Sequence, residues 1–214
     1  EAFSIATLPT PVKHPSWIAF NDELAQHLAA NKLTDAQRNV LLPVFAGNAQ
    51  LAGAQPVAQV YAGHQFGHFN PQLGDGRALL LSEIMTPAGT RKDIQLKGAG
   101  LTPFSRSGDG RAALGPVIRE YIVSEAMHAL GIPTTRALAA VTSGQAVYRE
   151  TSLPGAVLTR IASSHIRIGT FEFFARKGDA HHVKVLSDYV IHRHYPQCLQ
   201  SLSPYKALFE AVMS

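Results

Sequence analysis

Four glycines, Gly63, Gly67, Gly74 and Gly76, interrupt this chain within 14 residues. No helix persists through such a stretch, because glycine loses more backbone freedom on ordering than any other residue. The punctuation continues beyond it. Ala78 to Ile84 is an apolar run, Pro87-Ala88-Gly89 suits a turn, and Asp93 to Lys97 alternates as Asp-Ile-Gln-Leu-Lys. The two runs predict an antiparallel hairpin whose second strand is half-buried. A long loop rich in glycine and hydroxyl residues follows, Gly98 to Leu114. Pro116 then opens a helix, where its missing amide would have had no partner. Ile118, Ile122, Glu125 or Ala126, and Ala129 are expected on one face of that helix, which Gly131 and Pro133 stop.

Residues 1–20 carry Pro9, Pro11 and Pro15 and read as an extended arm. A helix is expected from Asn21 to Ala30, capped by Asn21, with Asp22 and Glu23 at its positive end. Thr34 and Gln37 have capping-box spacing for a second helix that Pro43 ends or kinks. Val57 to Tyr61 suits a short strand. Arg136 to Val141 and Gly144 to Glu150 read as a strand pair, and Gly155 to Ile161 as a further strand. Helices are expected from Gly169 or Thr170 to Ala175, from His182 to Tyr195, and from Tyr205 to Met213. The last has no stop signal, so a longer protein is expected.

Composition narrows the function classes. The 214 residues are 46% hydrophobic and 16% charged, enough for a buried core. No run approaches 18 apolar residues, so no membrane helix is expected. Residues 1–13 lack the pattern of a secretory leader. The single cysteine, Cys198, excludes an internal disulfide and any multi-cysteine zinc site, and it suggests a reducing, cytoplasmic setting. Net charge is +4, without a run of five basic residues or interleaved aromatics, so no nucleic-acid partner is expected. His64 and His68 have the spacing of a helical zinc pair, but Gly63 and Gly67 argue against a helix there.

Several residue groups could carry phosphate chemistry. Gly74, Asp75, Gly76 and Arg77 combine close backbone approach with a guanidinium; the same letters also suit a plain turn. They recur as Gly108, Asp109, Gly110 and Arg111. Lys97 ends a strand, and Glu120 follows 23 residues later in a helix, with Glu125 as a rival. A strand lysine paired with a helix glutamate is the phosphate-handling layout of a protein-kinase small lobe; two exposed surface residues are the alternative. Arg160 closes an apolar strand and, with Arg167, either converges on a polyphosphate or makes a structural salt bridge.

Taken together, Tyr61-Ala62-Gly63-His64-Gln65-Phe66-Gly67, Gly74-Asp75-Gly76-Arg77, Gln95-Leu96-Lys97-Gly98-Ala99-Gly100, Thr102-Pro103-Phe104-Ser105-Arg106, Arg119-Glu120-Tyr121 and the run from Leu158 to Gly169 closely resemble the selenoprotein O family. The likeness covers nearly the whole chain. It implies an α+β fold: a protein-kinase-like small lobe with a twisted antiparallel sheet and a glutamate-bearing helix. The implied division is an arm with helices over 1–50, the small lobe over 51–150, and a connection with the start of a helical large lobe over 151–214. It implies transfer of AMP from ATP to hydroxyl side chains of protein substrates, in the bacterial cytoplasm. A kinase sending the γ-phosphate and a non-catalytic nucleotide sensor are the alternatives.

By that resemblance, Gly74, Gly76, Arg77, Lys97, Asp109, Gly110, Arg160 and Arg167 contact the nucleotide, and Glu120 pairs with Lys97. The catalytic aspartate and the ligands of Mg2+ are expected beyond Ser214. Cys198 does not match the family's selenocysteine position.

Overall fold

The computed structural model describes residues 2–29 and 31–214. In chain order the elements are β1 (Ser4–Ala6), β2 (Ser16–Phe20), α1 (Asp22–Ala29), α2 (Asp35–Phe45), β3 (Val57–Gln59), β4 (Gly63–Gln65), β5 (His68–Asn70), β6 (Ala78–Met85), β7 (Arg91–Lys97), β8 (Ala112–Ala113), α3 (Leu114–Ala129), β9 (Arg136–Tyr148), β10 (Ser152–Ala162), α4 (Ile168–Arg176), α5 (Ala180–His194), a short 3-10 helix (Pro196–Gln200) and α6 (Pro204–Met213). The fold is mixed α+β. The chain divides into two compact units, residues 3–60 with 73–166, and residues 61–72 with 167–214.

The first unit is built on an antiparallel sheet in the order β1-β3-β6-β7-β10-β9-β2, with β8 paired to β10. The N-terminal arm therefore supplies both ends of the order. Between its two strands the prolines prevent regular pairing, and Arg111 holds the arm by donating to the carbonyls of Thr10 and Pro11 at 3.0 and 3.1 Å. Asn21 caps α1 by accepting from the Leu24 amide at 2.9 Å. Ala30, the expected end of that helix, lies outside the described residues. Thr34 and Gln37 close their capping box on α2. Pro43 does not end α2, which continues to Phe45.

The β6–β7 hairpin forms as expected, its turn closed by a 2.8 Å bond from the Thr86 amide to the Thr90 carbonyl. The expected strand pair over 136–150 is instead one continuous strand, β9, whose partner is β10. Gly144 does not reverse the chain. It bends the strand at φ +63°, where any Cβ would meet His14.

Helix α3 starts at Leu114, two residues before Pro116. It packs on β9 and β10. Its buried residues are Val117 and Ser124, with Leu114 and Tyr121 against a layer of Ala112, Ala137, Ala140, Ala156 and Leu158. The stripe of Ile118, Ile122, Ala126 and Ala129 is not the face that the sheet covers: Ile122, Ala126 and Ala129 are exposed. Hydrophobic spacing marked an exposed apolar stripe, while alanines on the sheet received the other face. Small side chains there let the helix approach closely, so a glutamate of ordinary length can reach the strands.

The second unit holds the β4–β5 hairpin and helices α4 to α6. Its core comprises Phe173, Phe174, Leu186, Val190, Ile191, Cys198 and Leu208. Phe66 and Gly67 both have positive φ, 54° and 80°, as a two-residue hairpin turn with primed geometry requires. His64 and His68 thus lie on strands, and the Ala62 amide ties the hairpin to the Gly169 carbonyl at 2.7 Å.

Candidate functional site

Asp93, Gln95 and Lys97 project from one face of β7, because side chains alternate along a strand. On a half-buried strand a polar face ordinarily meets water. Instead Asp93 is 2% exposed and Gln95 fully buried, and each polar group has a partner. The Asp93 carboxylate accepts the His165 amide at 2.9 Å. Gln95 Oε1 accepts from Arg160 Nη2, and its Nε2 donates to Asp75 Oδ2 at 3.4 Å. Lys97 Nζ lies 2.5 Å from Glu120 Oε2.

Arg160 stands opposite Gln95 in the β7–β10 register, and its Nη1 lies 3.2 Å from Glu120 Oε1. Glu120 therefore gives one oxygen to each cation. Glu125 serves a different purpose. It receives Arg136 through Nε and Nη2, the Ala137 amide at 2.8 Å and the Asn21 side chain at 2.7 Å. Five residues at 3.6 per turn separate the two carboxylates by roughly 140° around the helix, so one residue cannot replace the other.

Lys97 and Arg160 share the Glu120 carboxylate. Burial pulls the Lys97 ammonium below its ordinary value; the bond to Glu120 restores part of the loss, and Arg160 and Arg77 deepen it. For Glu120, burial pushes the carboxyl up, but Lys97 and Arg160 outweigh it and hold it below the ordinary value. Arg77 is exposed and makes no ion pair among the described residues. Two cations thus meet one carboxylate, and Arg77 adds positive potential at Lys97, an arrangement that suits an anionic ligand.

The segment Gly74–Arg77 is not a free turn. Asp75 is 1% exposed, and its carboxylate accepts the Gln59 amide at 3.1 Å. Gly74, at φ +61°, lies against the Phe104 ring, which would overlap any Cβ there. Thr102 Oγ1 donates to the Asp75 carbonyl at 2.7 Å and Ser105 Oγ to the Gly76 carbonyl at 2.6 Å. The long loop after β7 is therefore stitched onto the glycine segment.

The second copy of those four letters behaves differently. Asp109 is exposed and pairs with Arg149 at 2.9 Å, which first among its contacts holds its carboxyl below the ordinary value. Gly110 has φ +67° and lies against the backbone of Gly100. Positive φ falls on the first glycine of one copy and the second of the other. The repeat is one of letters, not of structure.

Gly74, Gly76, Arg77, Lys97, Glu120 and Arg160 are joined through Asp75 and Gln95 in the first unit. Asp109 and Gly110 sit in the loop, Asp109 bound to Arg149. Arg167 belongs to the second unit, where it precedes α4 and its guanidinium stacks 4.6 Å from the centre of the Tyr61 ring. Sequence reasoning missed Asp75 and Gln95 as members of the network. The available signal was Gln95 itself, a polar residue between Ile94 and Leu96 that shares a face with Lys97. A cleft of 710 Å³ opens at the other end of the sheet, beside Thr86, Thr90, Lys92 and Arg136, and no residue of the Lys97 cluster lines it.

The family model described as Protein adenylyltransferase SelO matches residues 1–214. The chain belongs to the SelO family. Among its curated relatives, a protein nucleotidyltransferase YdiU of Agrobacterium fabrum (strain C58 / ATCC 33970) is 60% identical over 212 residues, covering 99% of this chain and 43% of that protein. One from Rhizobium rhizogenes (strain K84 / ATCC BAA-868) is 61% identical over 204 residues, covering 95% and 40%. One from Ruegeria sp. (strain TM1040) is 60% identical over 203 residues, covering 95% and 42%. The chain thus spans about two-fifths of the length of these relatives. Among the described residues, no helix is long and apolar enough to cross a membrane.

Proposed function

We propose that this chain supplies the ATP-gripping part of a protein adenylyltransferase that moves AMP onto Ser, Thr or Tyr hydroxyls of protein substrates. The observation that carries the reading is the Lys97–Glu120–Arg160 cluster, in which two cations meet one helix carboxylate while Arg77 adds positive potential at Lys97. The names of the SelO family and of its relatives agree with it. The strand lysine paired with a helix glutamate supports a kinase-like small lobe over residues 51–150. Residues 1–50 form its arm and helices, and 151–214 lead into a large lobe.

In this reading Lys97, Arg160 and Arg77 hold phosphate oxygens of ATP, and Glu120 fixes the first two in orientation. Gly74 and Gly76 let the backbone approach the nucleotide, and Asp109 and Gly110 contact it from the loop. The acceptor hydroxyl gives up its proton to solvent or a base, its oxygen bonds to the α-phosphorus, the bond from that phosphorus to the bridging oxygen breaks, and pyrophosphate leaves. Fixed cations lower the barrier by meeting the charge that grows on the departing group. Magnesium is implied by the family, but among the described residues no group of three or more His, Cys, Asp or Glu side chains is placed to hold a metal ion. Cys198, buried and unpaired, agrees with a reducing cytoplasm.

Intact-mass analysis of the full-length protein and an acceptor protein, incubated with ATP and magnesium, tests the proposal. A gain of one AMP supports it. A gain of one phosphate instead makes the protein a kinase, and no gain with retained ATP binding makes it a sensor.

A further inference from the structure

We infer that Arg149 is a positioning residue of the nucleotide site: its guanidinium clamps the 98–111 loop so that Asp109 and Gly110 meet the ligand in a fixed geometry, with the Asp109 charge already balanced. The inference rests on the proposed nucleotide role of Asp109 and Gly110. Arg149 sits in the tight connection between β9 and β10, where its amide donates to the Thr151 carbonyl at 3.0 Å. From that corner its side chain makes four hydrogen bonds. Nη1 donates to Asp109 Oδ2 at 2.9 Å and to the Tyr148 carbonyl at 2.6 Å. Nη2 donates to Asp109 Oδ1 at 3.1 Å and to the Arg111 carbonyl at 3.0 Å. A planar fork can grip a carboxylate with two nitrogens and still reach two carbonyls; a lysine has one nitrogen and cannot.

The clamp shapes what it holds. Asp109 Oδ1 also accepts the Arg111 amide at 2.9 Å, which closes a turn around Gly110 at φ +67°. The Gly110 carbonyl then accepts the Gly100 amide at 3.0 Å and joins the two ends of the loop. Arg111, whose carbonyl the clamp engages, carries the two bonds that fix the N-terminal arm. Thr102 and Ser105 secure another stretch of the loop to the Gly74–Arg77 segment, so Arg149 supplies the anchor on the Asp109 side. Charge matters as well as shape. A bare carboxylate beside a triphosphate repels it, whereas both Asp109 oxygens lie on one guanidinium. The two side chains are 40% and 41% exposed, so their pairing adds little to global stability. Its consequence is local order in the loop.

The test uses the full-length protein as wild type, Arg149→Met, Arg149→Lys and, as reference, Lys97→Met. The readouts are KM and kcat for ATP, the melting temperature, and the rate of trypsin cleavage after Arg106 in the loop without nucleotide. Arg149→Met is expected to raise KM by about fivefold or more, with kcat changed less. It is also expected to quicken cleavage after Arg106 and to keep the melting temperature near wild type. Arg149→Lys keeps the charge and loses the fork, so its KM is expected to stay raised. A purely structural role would lower the melting temperature and leave KM alone. The inference is overturned if Arg149→Met keeps KM within about twofold of wild type, if Arg149→Lys returns KM to that range, or if cleavage after Arg106 does not quicken. If Lys97→Met also leaves KM unchanged, the nucleotide reading fails and the clamp's role with it; if Lys97→Met raises KM and Arg149→Met does not, only the clamp fails.

Discussion

Glu120 and Glu125 leave α3 five residues apart and take different partners: Glu120 lies 2.5 Å from Lys97, and Glu125 lies 2.7 Å from Arg136. The first carboxylate belongs to the charge cluster. The second ties the helix to the start of β9 and to Asn21. The two substitutions should therefore separate stability from binding. Glu125→Ala is expected to cost roughly 2 kcal/mol, because it strands a partly buried Arg136 and the Ala137 amide, while KM for ATP stays near wild type. Glu120→Gln is expected to raise KM with a smaller loss of stability. Denaturant melts and steady-state kinetics on the full-length protein check both.

Acid should act through Glu120. Its carboxyl sits below its ordinary value of 4.5 in the folded protein. Below that value the unfolded chain holds the proton more tightly, so this group's stabilisation is present above pH 4.5 and is lost as pH falls through the folded value. Glu120→Gln lacks this dependence. The melting-temperature gap between wild type and Glu120→Gln should narrow as pH is lowered through that window.

Lys97 should be a reactive amine. Burial holds its ammonium below the ordinary 10.5, so more of it is neutral at mildly alkaline pH than of an ordinary lysine. Amine-specific acylation followed by peptide mass analysis is expected to show a lower pH midpoint for Lys97 in the folded protein than in the denatured chain, with ATP protecting Lys97.

Gly110 should tolerate no side chain. At φ +67° and against the Gly100 backbone, an alanine is both strained and obstructed. Gly110→Ala is expected to cost on the order of 2–4 kcal/mol and to open the 98–111 loop to protease. Gly115→Ala, where a Cβ meets nothing within 4 Å, is the matched control and should change little.

Local signals were read well where they were self-contained. Pro87-Ala88-Gly89 and the alternation through Lys97 located the β6–β7 hairpin, and Thr34 with Gln37 located the start of α2. The Lys97–Glu120 pairing was legible as a spacing, though Glu125 stood as a rival until the helix was placed. Distant pairings were not legible. Ser4 lies beside Gln59 and Ser16 beside Thr142, so the strands in the arm are defined by partners far along the chain. Burial of Asp93 and Gln95 was hidden because a polar residue reads the same whether it faces water or a buried partner. The expected break between Val141 and Gly144 does not occur, because the positive φ of Gly144 bends the strand without ending it.

The central claim is that the cations around Glu120 receive the phosphates of ATP. Calorimetric titration of full-length wild type and Lys97→Ala with ATP, and separately with adenosine, tests it most directly. The account predicts that ATP affinity falls by about tenfold or more in the variant, while adenosine binds both proteins alike. Equal ATP affinity in the two proteins would contradict it.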